Sequence, residues 1–406
     1  MSPVPERSCV LITVTGHDRP GITAALTEII ARSGVDILDM EQVVIQELLS
    51  LSIVLDYREN GARSRPLLKD LLFRAKELGL ELDFHVVPHV DLEGPRRHHR
   101  SVLTLIGHTE LAAGAIAEVS RVLFEQGFNI EKIQRLDEGK IRCLEMVVES
   151  GEDDRAQVLK AALLPVGREF AVDLALQQDD LFRRVKRLVV MDLDSTLIQA
   201  EVIDELAKLV GAGEAVRRIT ARAMNGDLDF RTALAERVAL LKGITAGQLD
   251  RLAESLPLTP GAETLIRVLK RLGYRTAIIS SGFSYFSERI KARLGVDYAY
   301  ANILEMEGGT LTGGVREPII DGELKAEILA EIARQENLRL DQVIAVGDGA
   351  NDLPMLSLAG LGIAFNAKPK VRAAAKHSLN QSRLDTILFL LGITQNDVAA
   401  LNEDAP

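Results

Sequence analysis

The chain has 406 residues, of which 47% are hydrophobic and 26% are charged, and its formal net charge is −11. This length and apolar content support two to four globular domains and exclude a chain dominated by disorder. The negative charge disfavours non-specific attraction to nucleic acid or to an anionic membrane. Cys9 and Cys143 each lie in an apolar run, so we expect two core residues rather than a disulfide framework.

The start of the chain carries no targeting signal that we recognise. The N-terminal MSPVPERS lacks the apolar core of a signal peptide. No apolar segment approaches the roughly 20 residues that a membrane-spanning helix requires. We therefore expect a soluble cytoplasmic protein that binds neither membrane nor nucleic acid. A short basic run at residues 96–100 follows Gly94 and Pro95, and we interpret residues 94–100 as an interdomain linker rather than a phosphate-binding patch.

Two segments of the N-terminal half, residues 8–45 and 100–136, share one pattern. Gly16 matches Gly107, Gly34 matches Gly127, and each copy reads as strand, glycine-containing turn, helix, glycine stop and strand. Further strands and helices are predicted in both copies, at residues 48–57, 64–78, 140–149 and 154–165. The pattern predicts two ferredoxin-like modules of fewer than about a hundred residues each.

The first copy contains GHDRPGI at residues 16–22, and the two copies resemble ACT domains, which sense amino acids. A glycine-bearing turn exposes backbone N–H groups and a helix N-terminus, which suit the carboxylate of an amino acid. The resemblance implies effector contacts at Gly16, Asp18 and Gly107, with Asp18 taking the ammonium group. The second copy reads GHTELAAG, so a site there would differ or be absent. Alternatively, Gly16, Gly21 and Gly107 merely permit tight turns.

From about Val185 onward, apolar strands alternate with helices. Strands are predicted over LVVMDLD, TAIISSG, YAYANIL, VIAVGDGAND and LGIAF, and the alternation favours a parallel sheet with crossover helices. Residues 201–256 are charged, amphipathic and too long for a simple crossover, so they predict a helical cap. The predicted fold class is α/β, with a Rossmann-like parallel sheet and cap after two βαββαβ modules. The predicted domains are residues 1–93, 101–180 and 181–406, with the cap at about 200–257.

The motif DLDST, Asp192–Thr196, places two carboxylates at the end of an apolar strand. Open α/β sheets carry out their chemistry at this edge. One carboxylate there can act as a covalent nucleophile and the second as an acid and base, although other acid, base or metal chemistry also fits. The motif is followed in order by ISSG at residues 279–282, Lys325 and GDGAND at residues 347–352. Together these four features resemble the haloacid dehalogenase superfamily.

The resemblance implies a role for each motif in phosphoryl transfer, which depends mostly on positioning and on neutralising spread negative charge. Asp192 would attack phosphorus and carry the phosphoryl group. Asp194 would protonate the departing alkoxide and then deprotonate a water. Ser280 and Lys325 would hold the phosphoryl oxygens, and Thr196 would hold the second carboxylate and its loop.

Two aspartates so close together repel each other, so a cation is required, and Mg²⁺ prefers hard oxygen ligands. The resemblance assigns to Mg²⁺ the carboxylates of Asp192 and Asp348 and the backbone carbonyl of Asp194. Asp352 would be a more distant partner of the metal, or alternatively only the N-cap of the next helix. Asn351 would support the metal-side loop, the lysine or the substrate.

The cap narrows the resemblance to the phosphoserine phosphatase family. Glu201 opens the cap, AMNGDLDF and ERVALLKG follow, and the likeness runs over the C-terminal half. By position, Glu201 would bind the substrate's ammonium group and Arg237 its carboxylate. Met224 and Phe230 would form an apolar lid. Alternatively, these four residues are ordinary cap core and surface charges. Ser281 stands where family members commonly have glycine, and it belongs to the predicted substrate site.

The whole chain resembles the long bacterial form of this family. The resemblance implies Mg²⁺-dependent hydrolysis of O-phospho-L-serine, the last step of serine biosynthesis, with L-serine as a possible effector. ACT modules usually pair across subunits, so it also implies a homodimer. Two alternatives remain open at this point. The first is a phosphotransferase that uses another alcohol as acceptor, and the second is an amino-acid-responsive regulatory protein with a vestigial site.

Overall fold

The computed structural model describes residues 8–57, 64–88, 99–151 and 155–403. Contacts within the chain divide it into two compact units, Met1–Arg96 and Arg97–Pro406. The described residues form two four-stranded sheets and one seven-stranded sheet. The predicted α/β class with two ferredoxin-like modules before a Rossmann-like sheet is confirmed.

The first module is a four-stranded antiparallel sheet in the order β2-β3-β1-β4. One sheet face packs on the two helices because Val10, Ile12 and Val14 alternate along β1 and are buried with Leu26 and Leu71. Its elements are β1 (Ser8–His17), α1 (Ile22–Ser33), β2 (Ile37–Ile45), β3 (Leu48–Tyr57), α2 (Ser64–Glu77) and β4 (Glu81–Pro88).

The second module repeats this topology in the order β6-β7-β5-β8. Its elements are β5 (His99–Gly107), α3 (Ala113–Glu125), β6 (Phe128–Arg135), β7 (Cys143–Ser150), α4 (Ala156–Phe170) and β8 (Val172–Gln178). Two predicted bounds differ from the structure by three residues or more. β7 begins three residues later than predicted, and α4 continues through Pro165 because Leu159, Leu163 and Val166 bury one continuous face of the helix.

The second face of this module's sheet packs in part against the C-terminal domain. Ile106, Leu136, Cys143 and Ala175 belong to the same apolar cluster as the core of the C-terminal domain. Residues 97–406 are therefore one compact unit. The linker prediction was wrong at its end, because β5 pairs with β7 from His99 onward. Residues 94–98 of that predicted linker lie outside the described residues.

The C-terminal sheet has the strand order β12-β11-β10-β9-β13-β14-β15. β12 runs antiparallel to β11 after a turn at Gly308 and Gly309, both in the left-handed region, and the remaining neighbours are parallel. The strands are β9 (Leu188–Met191), β10 (Arg275–Phe283), β11 (Tyr298–Glu307), β12 (Thr310–Arg316), β13 (Val343–Gly347), β14 (Leu361–Phe365) and β15 (His377–Leu379). The sequence pattern missed the antiparallel β12 and the three-residue β15.

Helices cover the sheet and form the predicted cap. After α5 (Leu181–Arg184), the cap consists of α6 (Val202–Leu209), α7 (Gly213–Met224), α8 (Phe230–Ala239) and α9 (Ala246–Ser255). The sheet's own helices are α10 (Ala262–Arg271), α11 (Ser284–Leu294), α12 (Gly322–Gln335), α13 (Leu353–Leu358) and α14 (Pro369–Ala374), followed by α15 (Ile387–Leu390) and α16 (Gln395–Glu403).

None of the described helices alone is long and apolar enough to cross a membrane. The segments Leu384–Leu390 and Gln395–Leu401 match a span in length and composition only as a pair, and the chain bends by 115° between them.

Candidate active site

The carboxyl ends of the parallel strands bring the predicted motifs to one edge of the sheet. β9 pairs with β13 so that Met191 lies opposite Val346, and β13 pairs with β14 so that Gly347 lies opposite Ala364. Asp192 and Asp348 therefore leave neighbouring strands at the same level. The backbone N–H of Asp192 donates to the carbonyl of Val346 at 2.9 Å, which fixes this level.

Lys325 lies between two carboxylates at this edge. It is the fourth residue of α12 and is fully buried. Its Nζ lies 2.9 Å from Asp192 Oδ1 and 2.7 Å from Asp352 Oδ1. Burial alone would lower the pKa of Lys325, but the two carboxylates raise it above its ordinary value. Lys325 is therefore a cation fixed between Asp192 and Asp352 rather than the solvated surface charge that a lone helical lysine usually is.

Asp192, Asp348 and Asp352 place carboxylate oxygens within 4.8 Å of one another. Burial, followed by the charges of Asp192 and Asp352, raises the pKa of Asp348 to about 8. A divalent cation would remove this repulsion, and all three ligand atoms are the hard oxygens that Mg²⁺ prefers. The residues present therefore fit a Mg²⁺ ion. Asp352 also accepts from the backbone N–H of Gly349 at 2.9 Å, so the loop, and not the cap of the next helix, uses its side chain.

Asp194 turns away from that cluster because of the backbone between β9 and the cap. Ser195 lies in the left-handed region with φ of 55°, which lets the chain reverse within the DLDST motif. The Asp194 carboxylate accepts from the backbone N–H of Val202 at 2.9 Å, and Ser280 Oγ donates to it at 3.4 Å. Burial, then the charges of Asp192 and Glu201, raises the pKa of Asp194 well above its usual range.

The end of β10 closes the other side of the site. Ser280 is fully buried, and its hydroxyl accepts from the backbone N–H of Gly282 at 2.9 Å. A Cβ on Gly282 would lie 2.4 Å from an Asp194 oxygen, so only glycine permits this approach. Gly282 was not among the predicted site residues. Asn351 donates to the Ser281 hydroxyl at 3.4 Å, which links the GDGAND and ISSG loops.

Two further predicted residues lie on either side of the aspartate cluster. Thr196 is fully buried, and its hydroxyl donates to Asp348 at 3.3 Å. The Ser195 hydroxyl donates to Glu201 at 2.8 Å, a contact that the sequence pattern did not indicate. Ser195 therefore connects the DLDST turn to the first residue of the cap.

The cap contributes one acidic and one basic side chain. Burial raises the pKa of Glu201, which stands immediately before α6. Arg237 lies on α8, where burial lowers its pKa while the charges of Asp204 and Glu201 oppose that effect. Its guanidinium donates to the carbonyl of Ala233 at 3.1 Å and to Thr220 Oγ1 at 3.5 Å. The two side chains therefore act on each other electrostatically.

The two predicted lid residues differ in their packing. Phe230 begins α8 and packs against the apolar core of the C-terminal domain. Met224 ends α7 with 62% of its surface exposed. An exposed thioether at the end of a cap helix has no core to fill, so the cap-core explanation does not account for Met224.

The predicted effector residues Gly16 and Gly107 lie at the ends of β1 and β5, and Asp18 immediately follows β1. The side chain of Asp18 is exposed, and its backbone N–H donates to the carbonyl of Glu47 at 2.8 Å. A Cβ on Gly16 would lie 2.5 Å from Leu80 Cδ2, and one on Gly107 would lie 2.6 Å from the carbonyl of Thr109. Close packing alone therefore accounts for both glycines, and neither demonstrates an effector site.

Comparisons with known protein families and related proteins agree with the motifs, the fold and the site geometry. A haloacid dehalogenase-like hydrolase model matches residues 189–357, and ACT-domain models match residues 8–85 and 99–177. The phosphoserine phosphatase of Streptomyces coelicolor is 42% identical over 391 residues, which cover 96% of this chain and 94% of the relative. The chain belongs to the phosphoserine phosphatase family.

Two other members of the family support the same assignment. The phosphoserine phosphatase SerB2 of Mycobacterium tuberculosis is 42% identical over 98% of this chain and 96% of its own. The crystal structure of a probable phosphoserine phosphatase from Vibrio cholerae is 34% identical, with a TM-score of 0.58 over 77% of this chain and 90% of that one. This phosphatase is therefore an enzyme with two ACT domains before its hydrolase domain.

Proposed function

We propose that this phosphatase hydrolyses O-phospho-L-serine to L-serine and phosphate through an aspartyl-phosphate on Asp192. The observation that carries the proposal is the position of Lys325, buried at 2.9 Å from Asp192 and 2.7 Å from Asp352. A cation fixed there can neutralise the phosphoryl oxygens as they approach the nucleophile. The formation of L-serine would make this reaction the last step of serine biosynthesis.

In the first step, a carboxylate oxygen of Asp192 forms a bond to phosphorus as the bond from phosphorus to the serine oxygen breaks. Asp194 gives its proton to that leaving oxygen. In the second step, a water oxygen bonds to phosphorus, its proton passes to Asp194, and Asp192 is released. We assign Ser280, whose hydroxyl donates to Asp194 at 3.4 Å, to holding a phosphoryl oxygen.

Mg²⁺ is the proposed cofactor because buried carboxylates are concentrated at the nucleophile. The carboxylates of Asp192 and Asp348, with the backbone carbonyl of Asp194, would hold it. When bound, the ion supplies positive charge that neutralises the phosphoryl oxygens. Asp352 is already engaged by Lys325 and by the N–H of Gly349, so we assign it to holding the lysine and the loop.

The cap supports a small zwitterionic leaving group. Glu201 supplies the negative charge for an ammonium group, and Arg237 supplies the planar cation for a carboxylate. Met224 and Phe230 are proposed as the apolar lid, with the exposed Met224 as the part that closes on substrate. Asn351 and Ser281 join the two loops on the phosphoryl side, at 3.4 Å from each other.

The proposal is tested by phosphate release from O-phospho-L-serine, with and without Mg²⁺, by the wild type and by Asp192→Asn. We expect the variant to lose activity by about a thousandfold or more. Asp250→Asn makes the same chemical change at an exposed position on α9 and should behave as the wild type. Equal release by Asp192→Asn and the wild type would exclude the nucleophile. A preference for sugar phosphates would exclude the cap assignment, and a phosphorylated alcohol product would indicate a phosphotransferase.

We further propose that the enzyme is a homodimer in which L-serine binds the first ACT domain. Asp18 is exposed beside the turn at residues 16–22, where a carboxylate can meet an ammonium group. L-serine titrations of turnover and sedimentation, with Asp18→Asn as the variant, test both parts. If L-serine changes neither turnover nor assembly in the wild type, the regulatory proposal fails.

A further inference from the structure

The loop that follows β14 reaches the catalytic edge of the sheet. β14 ends at Phe365, and Ala364 lies opposite Gly347 of β13. The residues after Phe365 therefore leave the sheet beside Asp348. They read Asn366-Ala367-Lys368, and Lys368 stands immediately before α14 as its N-cap residue. Neither the motifs nor the proposed mechanism gives this loop a role.

Lys368 carries an uncommitted positive charge on the loop beside the catalytic edge. Its side chain is exposed, and within the described part of the chain its ammonium group has no hydrogen bond or ion pair. Burial raises the pKa of Glu201, and the charge of Lys368 is one of the influences that oppose this rise. Lys368 therefore acts on the end of the pocket that Glu201 occupies, which is the end assigned to the amino-acid head group.

A cation at this end suits a carboxylate on the substrate. The pocket contains more carboxylates than cations, since Asp192, Asp194 and Asp348 accompany Glu201. O-phospho-L-serine carries a phosphate and a carboxylate against one ammonium group, so it enters with net negative charge. An additional positive charge at the rim lowers the electrostatic cost of bringing that carboxylate beside the acidic pocket.

Asn366 fixes the course of the loop. Its φ of 47° is in the left-handed region, which asparagine tolerates better than most residues. Its backbone N–H donates to the carbonyl of Leu379 at 2.8 Å, and its side-chain amide donates to the carbonyl of Gln381 at 2.8 Å. The chain just before Lys368 is thereby tied to the end of β15 and to the segment that follows it.

That segment is held in turn by the second ACT domain. Asp173 on β8 is buried and accepts from the backbone N–H of Asn380 at 2.7 Å and from its side-chain amide at 2.9 Å. It also accepts from Gln381 Nε2 at 2.8 Å. A continuous series of hydrogen bonds therefore runs from Asp173 through Gln381 to Asn366, two residues before Lys368.

We propose that Lys368 recognises the carboxylate of the substrate, and that Asp173 of the second ACT domain is a positioning residue for it. The inference rests on the proposed function, because it names a further contact for the same substrate. It makes the second ACT domain part of the support of the substrate pocket. Arg237 and Lys368 would then approach the carboxylate from the cap and from the sheet edge respectively.

The first experiment compares O-phospho-L-serine with O-phosphoethanolamine, which keeps the ammonium group and the phosphate but lacks the carboxylate. For Lys368→Gln we expect kcat/KM for phosphoserine to fall about threefold to fivefold, mainly through KM, which is the range of one exposed charge pair. The value for phosphoethanolamine should stay within about twofold of the wild type, because the missing group is the one that the lysine contacts. Lys370→Gln removes a charge two residues farther along and should change neither value.

The second experiment tests Asp173 against a matched residue of the same interface. Gln177 on β8 is also buried and donates to the carbonyl of Leu390 at 2.9 Å, but none of its bonds leads to Asn366 or Gln381. Asp173→Ala should lower the preference for phosphoserine about twofold to threefold, and it should add nothing further in the Lys368→Gln background. Gln177→Ala should lower the melting temperature while leaving the preference unchanged.

The outcomes separate the parts of the proposal. If the wild type does not hydrolyse phosphoserine, the proposed function fails. If it does and Lys368→Gln affects both substrates equally or neither, the recognition role of Lys368 is wrong. If Asp173→Ala destabilises the protein but leaves the preference unchanged, or if its effect adds fully to that of Lys368→Gln, Asp173 is a structural residue only.

Discussion

The unit formed by residues 97–406 contains two buried polar networks that differ in how well their charges are balanced. At the junction between the second ACT domain and the hydrolase domain, Asp173 accepts from three N–H groups. At the catalytic edge, Lys325 is the one cation in contact with a cluster of three carboxylates among the described residues. The Asp173 carboxylate is satisfied by these donors, whereas the catalytic network retains negative charge that only a ligand or ion can balance.

The largest effect is expected from removing the cation of the catalytic network. Lys325→Met leaves the buried carboxylates of Asp192 and Asp352 facing each other without a cation. We expect a loss of about 3–5 kcal/mol in the free energy of unfolding, with activity reduced about a thousandfold. Lys186→Met is the matched control, because Lys186 is also buried but donates only to the carbonyl of Asp341. Denaturant unfolding measures the loss of stability, and steady-state kinetics measures the loss of activity. An active Lys325→Met protein would contradict the expected loss of activity.

A charge pair of the junction should affect stability without affecting catalysis. Arg183 and Glu145 form an ion pair in which both side chains are largely buried, between α5 and β7. We expect Arg183→Met to lower the free energy of unfolding by about 3 kcal/mol, because Glu145 loses its partner. Arg184→Met removes the neighbouring, mostly exposed guanidinium and should cost about 0.5 kcal/mol or less. A loss of kcat in Arg183→Met at a temperature where it is folded would show that the two networks are not independent.

The sequence predicted the catalytic network better than the junction. The carboxyl ends of parallel strands meet at one edge, so the motifs that follow β9, β10 and β13 had to converge there. Two contacts of this network depend on atomic distances that the spacing of residues along the sequence does not determine. They are the bond between Lys325 and Asp352 and the close approach of Gly282 to Asp194.

The sequence did not predict the junction between the second ACT domain and the hydrolase domain, for a different reason. Ile106, Cys143 and Ala175 show that one face of a strand is apolar, but their pattern does not say what covers it. The two ACT copies were therefore predicted alike, although the second is part of the hydrolase unit. The strand β15 was not predicted because its three residues are too few to show an alternating apolar pattern.

Acidification should weaken the junction through His377 on β15. Burial, followed by the charges of Lys160, Lys376 and Lys186, lowers the pKa of His377 to about 3. The unfolded chain binds a proton near pH 6.5 while the folded chain does not, so stability is complete above pH 6.5 and falls as the pH decreases toward 3. The loss is at most about 1.4 kcal/mol per pH unit for one proton.

This pH dependence is measured by comparing unfolding of the wild type and His377→Asn at pH 7.5 and pH 5.5. We expect the wild type to lose about 1 kcal/mol more than the variant over this interval. Because His377 Nδ1 is buried without a hydrogen-bond partner, asparagine leaves no known bond unmade at that atom. Parallel pH profiles for the two proteins would show that His377 is accessible to protons in the folded state.

The smallest effect has the opposite sign and belongs to the catalytic network. Asp348 is repelled by Asp192 and Asp352, so Asp348→Asn should stabilise the metal-free protein by about 1 kcal/mol at neutral pH. With Mg²⁺ present, the wild type should become the more stable of the two proteins. The ion stabilises the wild type, which binds it, and has little effect on a variant that has lost a ligand. Thermal unfolding in EDTA and across a Mg²⁺ titration measures the stability of both proteins with and without the ion.

Thr196→Val removes the hydroxyl that donates to Asp348 but keeps the three carboxylates, so it should retain the Mg²⁺ response. If the metal-free Asp348→Asn protein is less stable than the wild type, the carboxylate cluster is already balanced and the contrast between the two networks fails.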